Sequence, residues 1–327
     1  MSRRAWMTNL AKVVVSLAAL AWVLTQIPFG RVWQAVQGAN WWLLLAVYVM
    51  FVVSLAVRAV RWLILVRALG SDVRLGRLVE LYFVGSFFNS FLPSGFGGDV
   101  VRAAEVTRDM DSGMAVGTVV VDRLTGLLVL FVMALISLPV AARELPRVVV
   151  VSLGALAALG LAFGGLLLHG SLLDRVGRLV DRWLPTNVAR LVSPTGDGPV
   201  GRIQRAVTGC GRRAVAGALA VSVVFNVMLI FWWLLTGLAI GIDLPAWAYM
   251  TFVPVLSLSL MVPSIGGLGV REGLASVLFA SAGVAEEKGV ALSLILFFVN
   301  RATGVVGGAV YLAATARDLK RHQRDQA

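Results

Sequence analysis

Residues 214–240, AVAGALAVSVVFNVMLIFWWLLTGLAI, contain no ionisable side chain. As a helix rising about 1.5 Å per residue the stretch reaches about 40 Å, more than the roughly 30 Å hydrocarbon core of a bilayer. Backbone polar groups find no water in hydrocarbon, so such a run must be a helix or part of a closed barrel. Its length decides for the helix, because barrel strands are short segments of alternating polarity. Comparable runs occupy residues 10–27, 41–66, 113–138, 148–168 and 289–315. The fold expected is therefore an all-α polytopic membrane protein with about six full spanning helices. A hydrophobic content of 59% and a mean hydropathy of +0.87 agree with that reading.

The net charge of +12 does not point to nucleic acid. The basic residues flank the apolar runs, where they act as topology signals and face anionic headgroups. With an inner N-terminus, the inside receives Arg3, Arg4 and Lys12, then Arg67, Arg74 and Arg77, then the arginines from Arg175 to Arg213, and finally Arg317, Lys320, Arg321 and Arg324. The outside receives only Arg31, Arg143, Arg147 and Lys288. This asymmetry places both termini in the cytoplasm, and the expected location is a bacterial inner membrane. No small-x-small cleavage pattern follows residues 10–27, which read as a retained first spanning helix. A single cysteine, Cys210, allows no internal disulfide, and His169 and His322 form no metal-ligating pattern, so no metal or cofactor is expected.

Two segments break the plan. Residues 78–110 and 244–283 each begin as an apolar arm, stop at a proline and glycines, and return as a more polar helix, the first from Asp99 to Met110 and the second carrying Arg271 and Glu272. Counting either as one full crossing would send the later basic connections outside. Each must return to its own side, and a re-entrant helical hairpin fits better than two short spans.

The segments also match one another. FLPSGFGGDVVRAAE at 91–105 answers PSIGGLGVREG at 263–273, and VDRLTGL at 121–127 answers VNRATGV at 299–305. The chain thus reads as an internal duplication, and the three crossings between its units make the repeat inverted. Its organisation is a first helix and connection over 1–40, a first unit over 41–139 with its hairpin at 78–110, and a fourth span with a basic connection over 140–213. A second unit follows over 214–315, with its hairpin at 244–283, and then a basic tail over 316–327. Within the connection, residues 169–213 include LLDRVGRLVDRWL, the pattern of an amphipathic helix on the inner leaflet.

A Pro/Gly break at membrane depth is tolerated only where protein or a watery cavity surrounds it. The residues at the two breaks, Pro93, Ser94, Gly97 and Gly98, and Pro263, Ser264, Gly266, Gly267 and Gly269, are therefore candidate substrate contacts. The helices that follow would offer unpaired N–H groups and the positive end of a dipole to an anion. Arg123 and Arg301 lie inside spanning helices, where a cation costs about 2.5–3.5 kcal/mol and must face a partner or ligand. Arg102 and Arg271 on the returning helices are suited to bidentate phosphate contact, with Asp99 and Glu272 beside them. Asp122 next to Arg123, and Glu105, are candidate structural ion-pair partners. Asn300 stands where Asp122 would, which favours Arg301 over Arg123 as the headgroup contact. Arg58 and Arg61 are expected to snorkel to the cytoplasmic edge, and Asn226 to hydrogen-bond another helix. No nucleophile with a base and no phosphate-loop signature is present, so the chain does not read as an enzyme.

At FLPSGFGGDVVRAAE, VDRLTG, PSIGGLGVREG and NRATG the chain resembles the lysylphosphatidylglycerol synthase transmembrane-region family of flippase-like integral membrane proteins, over roughly residues 12–315. It looks like a stand-alone member without a soluble synthase domain. The resemblance implies movement of an anionic or modified lipid, a phospholipid or a polyprenyl-phosphate-linked one, between leaflets. Membrane lipids with anionic headgroups are then the expected partners, with a lipid-modifying enzyme or a second copy of the chain as further ones. Two other readings stay open: a secondary transporter of a small soluble anion, and a non-catalytic membrane subunit of a lipid-modifying complex.

Overall fold

A computed structural model describes residues 37–91, 97–107, 110, 112–168, 199–259 and 269–325. The expected first spanning helix at 10–27, most of the basic connection after residue 168, and the breaks around 92–96 and 260–268 lie outside the described residues. What is described is helical: α1 (Trp41–Ala68), α2 (Leu75–Phe91), α3 (Gly97–Val106), α4 (Ser112–Glu144), α5 (Arg147–Leu168), α6 (Pro199–Ala239), α7 (Ala246–Leu258), α8 (Val270–Ser281) and α9 (Glu286–Asp325).

Five of these, α1, α4, α5, α6 and α9, are long and apolar enough to cross a membrane, in agreement with the runs read from the sequence. The remaining four are short. At 1.5 Å per residue α2, α3, α7 and α8 span about 26, 15, 20 and 18 Å, less than a roughly 30 Å hydrocarbon core. The first returning helix runs from Gly97 to Val106 rather than from Asp99 to Met110. Its start moves forward because the Asn89 Oδ1 accepts from the Gly98 N–H at 2.7 Å and so answers one donor of the first turn.

Helix ends carry local reasons. Asn40 caps α1, its Oδ1 accepting from the N–H groups of Trp42 at 3.0 Å and Leu43 at 3.3 Å. After Ala68 the chain turns at Gly70, whose φ of 80° suits a residue without a Cβ. Gly211, at φ 72°, divides α6 into two helical pieces.

The packing brings α1 against α6, α2 against α9, and α4 against α6, α5 and α7, while α3 lies on α2 and α4 and α8 lies on α9. The α1–α6 pair is antiparallel: the Asn40 N–H donates to the Ala239 carbonyl at 2.9 Å, and Phe51 meets Trp232 at a centroid distance of 4.9 Å. Glycine sets the α2–α9 contact. A Cβ on Gly307 would run into the Phe83 carbonyl, and one on Gly308 would lie 2.9 Å from the Phe87 ring. The two backbones thus approach as closely as small residues permit, the usual route to helix association in a bilayer. On α5, Gly160 and Gly164 receive Phe131 and Leu128 of α4 in the same way. The largest apolar core gathers Tyr249, Phe252, Phe279, Leu292 and Trp233 from α6 to α9.

A charged cluster inside the helices

On α1, Arg58 and Arg61 are three residues apart and share a face. Arg61 does not snorkel. Its side chain is 3% exposed, and its Nε donates to the Asp122 Oδ1 of α4 at 2.6 Å, while Nη1 donates to the Ser222 Oγ of α6 at 3.1 Å. The expectation of a cytoplasmic-edge position for Arg61 is overturned because α4 supplies a buried carboxylate that hydration would have to outbid. Gly126 makes the room, since a Cβ there would lie 2.7 Å from Arg61 Nη1.

Asp122 is therefore not the partner of its neighbour Arg123. Adjacent helical residues point about 100° apart, so Asp122 faces inward to Arg61, Tyr82 and Arg102, and Arg123 turns to α3. The Tyr82 hydroxyl donates to Asp122 Oδ2, and Arg102 Nη1 lies 3.6 Å from the same oxygen. Asp99 accepts from Arg102 Nη2 at 2.6 Å and pairs with Arg123. As the acidic residue of α3's first turn it also suits the helix dipole.

The aromatic rings complete this cluster. Arg102 lies 4.0 Å from the Tyr82 centroid and 5.0 Å from that of Trp62. Arg58 lies 4.8 Å from Tyr82 and 5.3 Å from Phe225. Arg58 forms no ion pair among the described residues, and its buried Nε has no hydrogen-bond partner there. Among the described residues the cluster therefore sets Arg58, Arg61, Arg102 and Arg123 against Asp99 and Asp122, with positive charge in excess. Asp99, Arg102, Arg123 and Asp122 were singled out from the sequence, and the fold brings them together. Arg58 and Arg61 were read as snorkelling residues rather than as part of a site, and Tyr82, Ser222 and Phe225 were not singled out. Their signal was the i, i+3 spacing of two arginines inside a span and the i, i+4 spacing of Ser222 and Asn226.

A second, smaller group lies on α8 and α9. Arg271 Nε donates to Ser293 Oγ at 2.8 Å and Nη2 to the Ser293 carbonyl at 2.6 Å. The Ser293 hydroxyl donates to Glu272 Oε1 at 3.1 Å, and Arg271 Nη2 is 3.6 Å from the same carboxylate. Arg301 is 7% exposed and its guanidinium stands 3.3 Å from the Phe297 centroid. Asn300 meets Ser90 of α2, both its carbonyl and its side-chain oxygen lying 3.4 Å from the Ser90 Oγ.

Of three further expectations, one is corrected and two hold. The helix starts at the two breaks are not wholly open: Gly98 donates to Asn89, and Gly269 donates to Glu272 Oε2 at 2.6 Å. Orphan N–H groups in a low dielectric are answered by whatever side chain is nearest. Glu105 is in an ion pair, as expected, and its partner is Arg77 at 3.2 Å, beside Glu80. Asn226 behaves as expected, its Nδ2 donating to the Gly126 carbonyl of α4 at 3.0 Å. Pro93, Ser94, Pro263, Ser264, Gly266 and Gly267 lie outside the described residues.

The family model for the lysylphosphatidylglycerol synthase TM region matches residues 9–308. Neither a curated protein nor a solved structure matches the chain.

Proposed function

Since the chain belongs to the lysylphosphatidylglycerol synthase transmembrane-region family, we propose that it is a non-catalytic translocator carrying a lipid with an anionic headgroup between leaflets. The observation that carries this reading is the buried cluster around Asp122. Charges within apolar spans are unfavourable unless paired or used, and this cluster holds more arginines than carboxylates among the described residues. An anionic headgroup passing through would balance the excess while its acyl chains stayed in the bilayer.

The arrangement of the short helices supports a re-entrant, inverted plan. Pairing α1 with α6, α2 with α7, α3 with α8 and α4 with α9 carries the contact α2–α9 into α7–α4, and α3–α4 into α8–α9. In this reading the first arm of each hairpin packs against the long helix of the other unit and the returning arm against that of its own, which suits an inverted-repeat transporter. The basic connections support an orientation with both termini in the cytoplasm, and the bacterial inner membrane is part of this proposal.

The test is leaflet exchange in proteoliposomes. Wild-type protein should speed exchange of a fluorescent phosphatidylglycerol, and Arg301→Ala and Gly267→Leu should slow it. Wild-type vesicles exchanging no faster than protein-free ones would refute translocation. Uptake of a small soluble anion into the same vesicles, without lipid exchange, would instead favour an anion transporter.

A further inference from the structure

Two donors in the first cluster are left over. Arg102 is 2% exposed, and although its Nη1 feels Asp122 at 3.6 Å, that atom is buried and makes no hydrogen bond. Arg58 Nε is also buried without a hydrogen-bond partner, while the residue as a whole keeps partial exposure. Both guanidinium groups lie against the same Tyr82 ring, at 4.8 and 4.0 Å, so their central carbons are at most about 9 Å apart.

Buried charged donors without acceptors are rare and unfavourable. Packing alone does not account for this pair. An apolar side chain would fill the place of Arg58 between Tyr82 and Phe225 without stranding a charge. The chemistry that answers both donors is an oxyanion with several acceptor oxygens. A phosphate bonded on either side at about 2.8 Å bridges guanidinium groups at a separation of this order. Water would satisfy the N–H groups but leave the excess charge.

We infer that Arg58 and Arg102, both against Tyr82, form the phosphate-binding point of this protein, with Arg58 the residue open to the incoming ligand. The inference rests on the translocator reading and moves the headgroup contact from the breaks of the two hairpins to the place where α1 meets the two arms of the first hairpin. Asp99 and Asp122 hold Arg102 from one side, so its orientation is set before the ligand arrives. Among the described residues Arg58 lies against the Tyr82 and Phe225 rings and in no ion pair, and rings grip a cation without using its N–H donors.

The test uses the full chain in detergent and measures binding of dihexanoyl-phosphatidylglycerol, with dihexanoylglycerol as the phosphate-free control. Arg58→Gln should weaken binding about tenfold or more, the effect of losing a charged hydrogen bond. Arg58→Lys, which keeps the charge but not the planar fork, should fall between. Arg67→Gln, at the exposed end of α1, should stay within about twofold. Competition by inorganic phosphate would mean that the free anion suffices, and lack of it that the phosphate must come on a lipid; both support the site. Wild-type affinity in both Arg58 variants, equal binding of dihexanoylglycerol, or no binding by the wild type would overturn it. Binding that depends on Arg58 without leaflet exchange would keep the site and remove translocation. Exchange with Arg58-independent binding would do the reverse.

Discussion

Arg61 and Asp122, on helices α1 and α4, meet at 2.6 Å with side chains 3% and 1% exposed. The pair ties α1, the long helix before the first hairpin, to α4, the one that follows it. It also fixes the floor of the charged cluster, because Tyr82 and Arg102 converge on the second oxygen of the same carboxylate. Removing one partner leaves the other charge buried alone. Asp122→Ala should therefore lower stability by about 3–5 kcal/mol, whereas the double replacement Arg61→Met with Asp122→Leu should recover a large part of that loss. Thermal unfolding in detergent checks both, and a single variant as stable as the wild type would contradict the pairing.

Gly307 offers a test of the α2–α9 seam. A methyl group there meets backbone, the Phe83 carbonyl, and no rotamer change can relieve it. Gly307→Ala should destabilise by about 1–3 kcal/mol. Gly165→Ala, with nothing within 4 Å of the added carbon, should be neutral or slightly stabilising. Unfolding midpoints of the two variants, measured side by side, separate the steric effect from helix propensity.

Asn226 joins α6 to α4 through the Gly126 carbonyl. Hydrogen bonds between membrane helices average about 0.6 kcal/mol and reach about 1.7, so Asn226→Ala should lower stability only by that order. Leaflet exchange in proteoliposomes should remain close to wild type. A loss of exchange with unchanged stability would mark Asn226 as a ligand contact instead.

Arg102 makes several contacts that a lysine cannot share. Its planar group pairs with Asp99, approaches Asp122 and lies over Tyr82 and Trp62. Arg102→Lys should slow leaflet exchange about tenfold or more, equivalent to roughly 1.4 kcal/mol. The exchange rate at matched protein content is the measurement, and a wild-type rate would exclude Arg102 from the headgroup path.

Much of this fold was legible because the bilayer narrows the choices. A run such as residues 214–240 can hardly be anything but a spanning helix, and α1, α4, α5, α6 and α9 follow the apolar runs closely. The polar residues on the helices after each break were legible for a similar reason: Asp99, Arg102, Arg123, Arg271 and Arg301 are unfavourable in hydrocarbon and must be held by something. Which group holds each was not. Asp122 beside Arg123 looks like a pair along the chain, yet a helix turns neighbours away from each other and Asp122 meets Arg61 instead.

By itself, then, the sequence determined the helical membrane class, the positions of the long spans, and the residue types that had to be sheltered. Only the tertiary structure decided the partners: Arg61 inside rather than at the membrane edge, Asp99 between Arg102 and Arg123, and Arg58 between two rings. The physical reason is that hydropathy acts on each residue separately and can be read one position at a time. Charge compensation acts between side chains on α1, α2, α3, α4 and α6, and their distances exist only once the helices have packed.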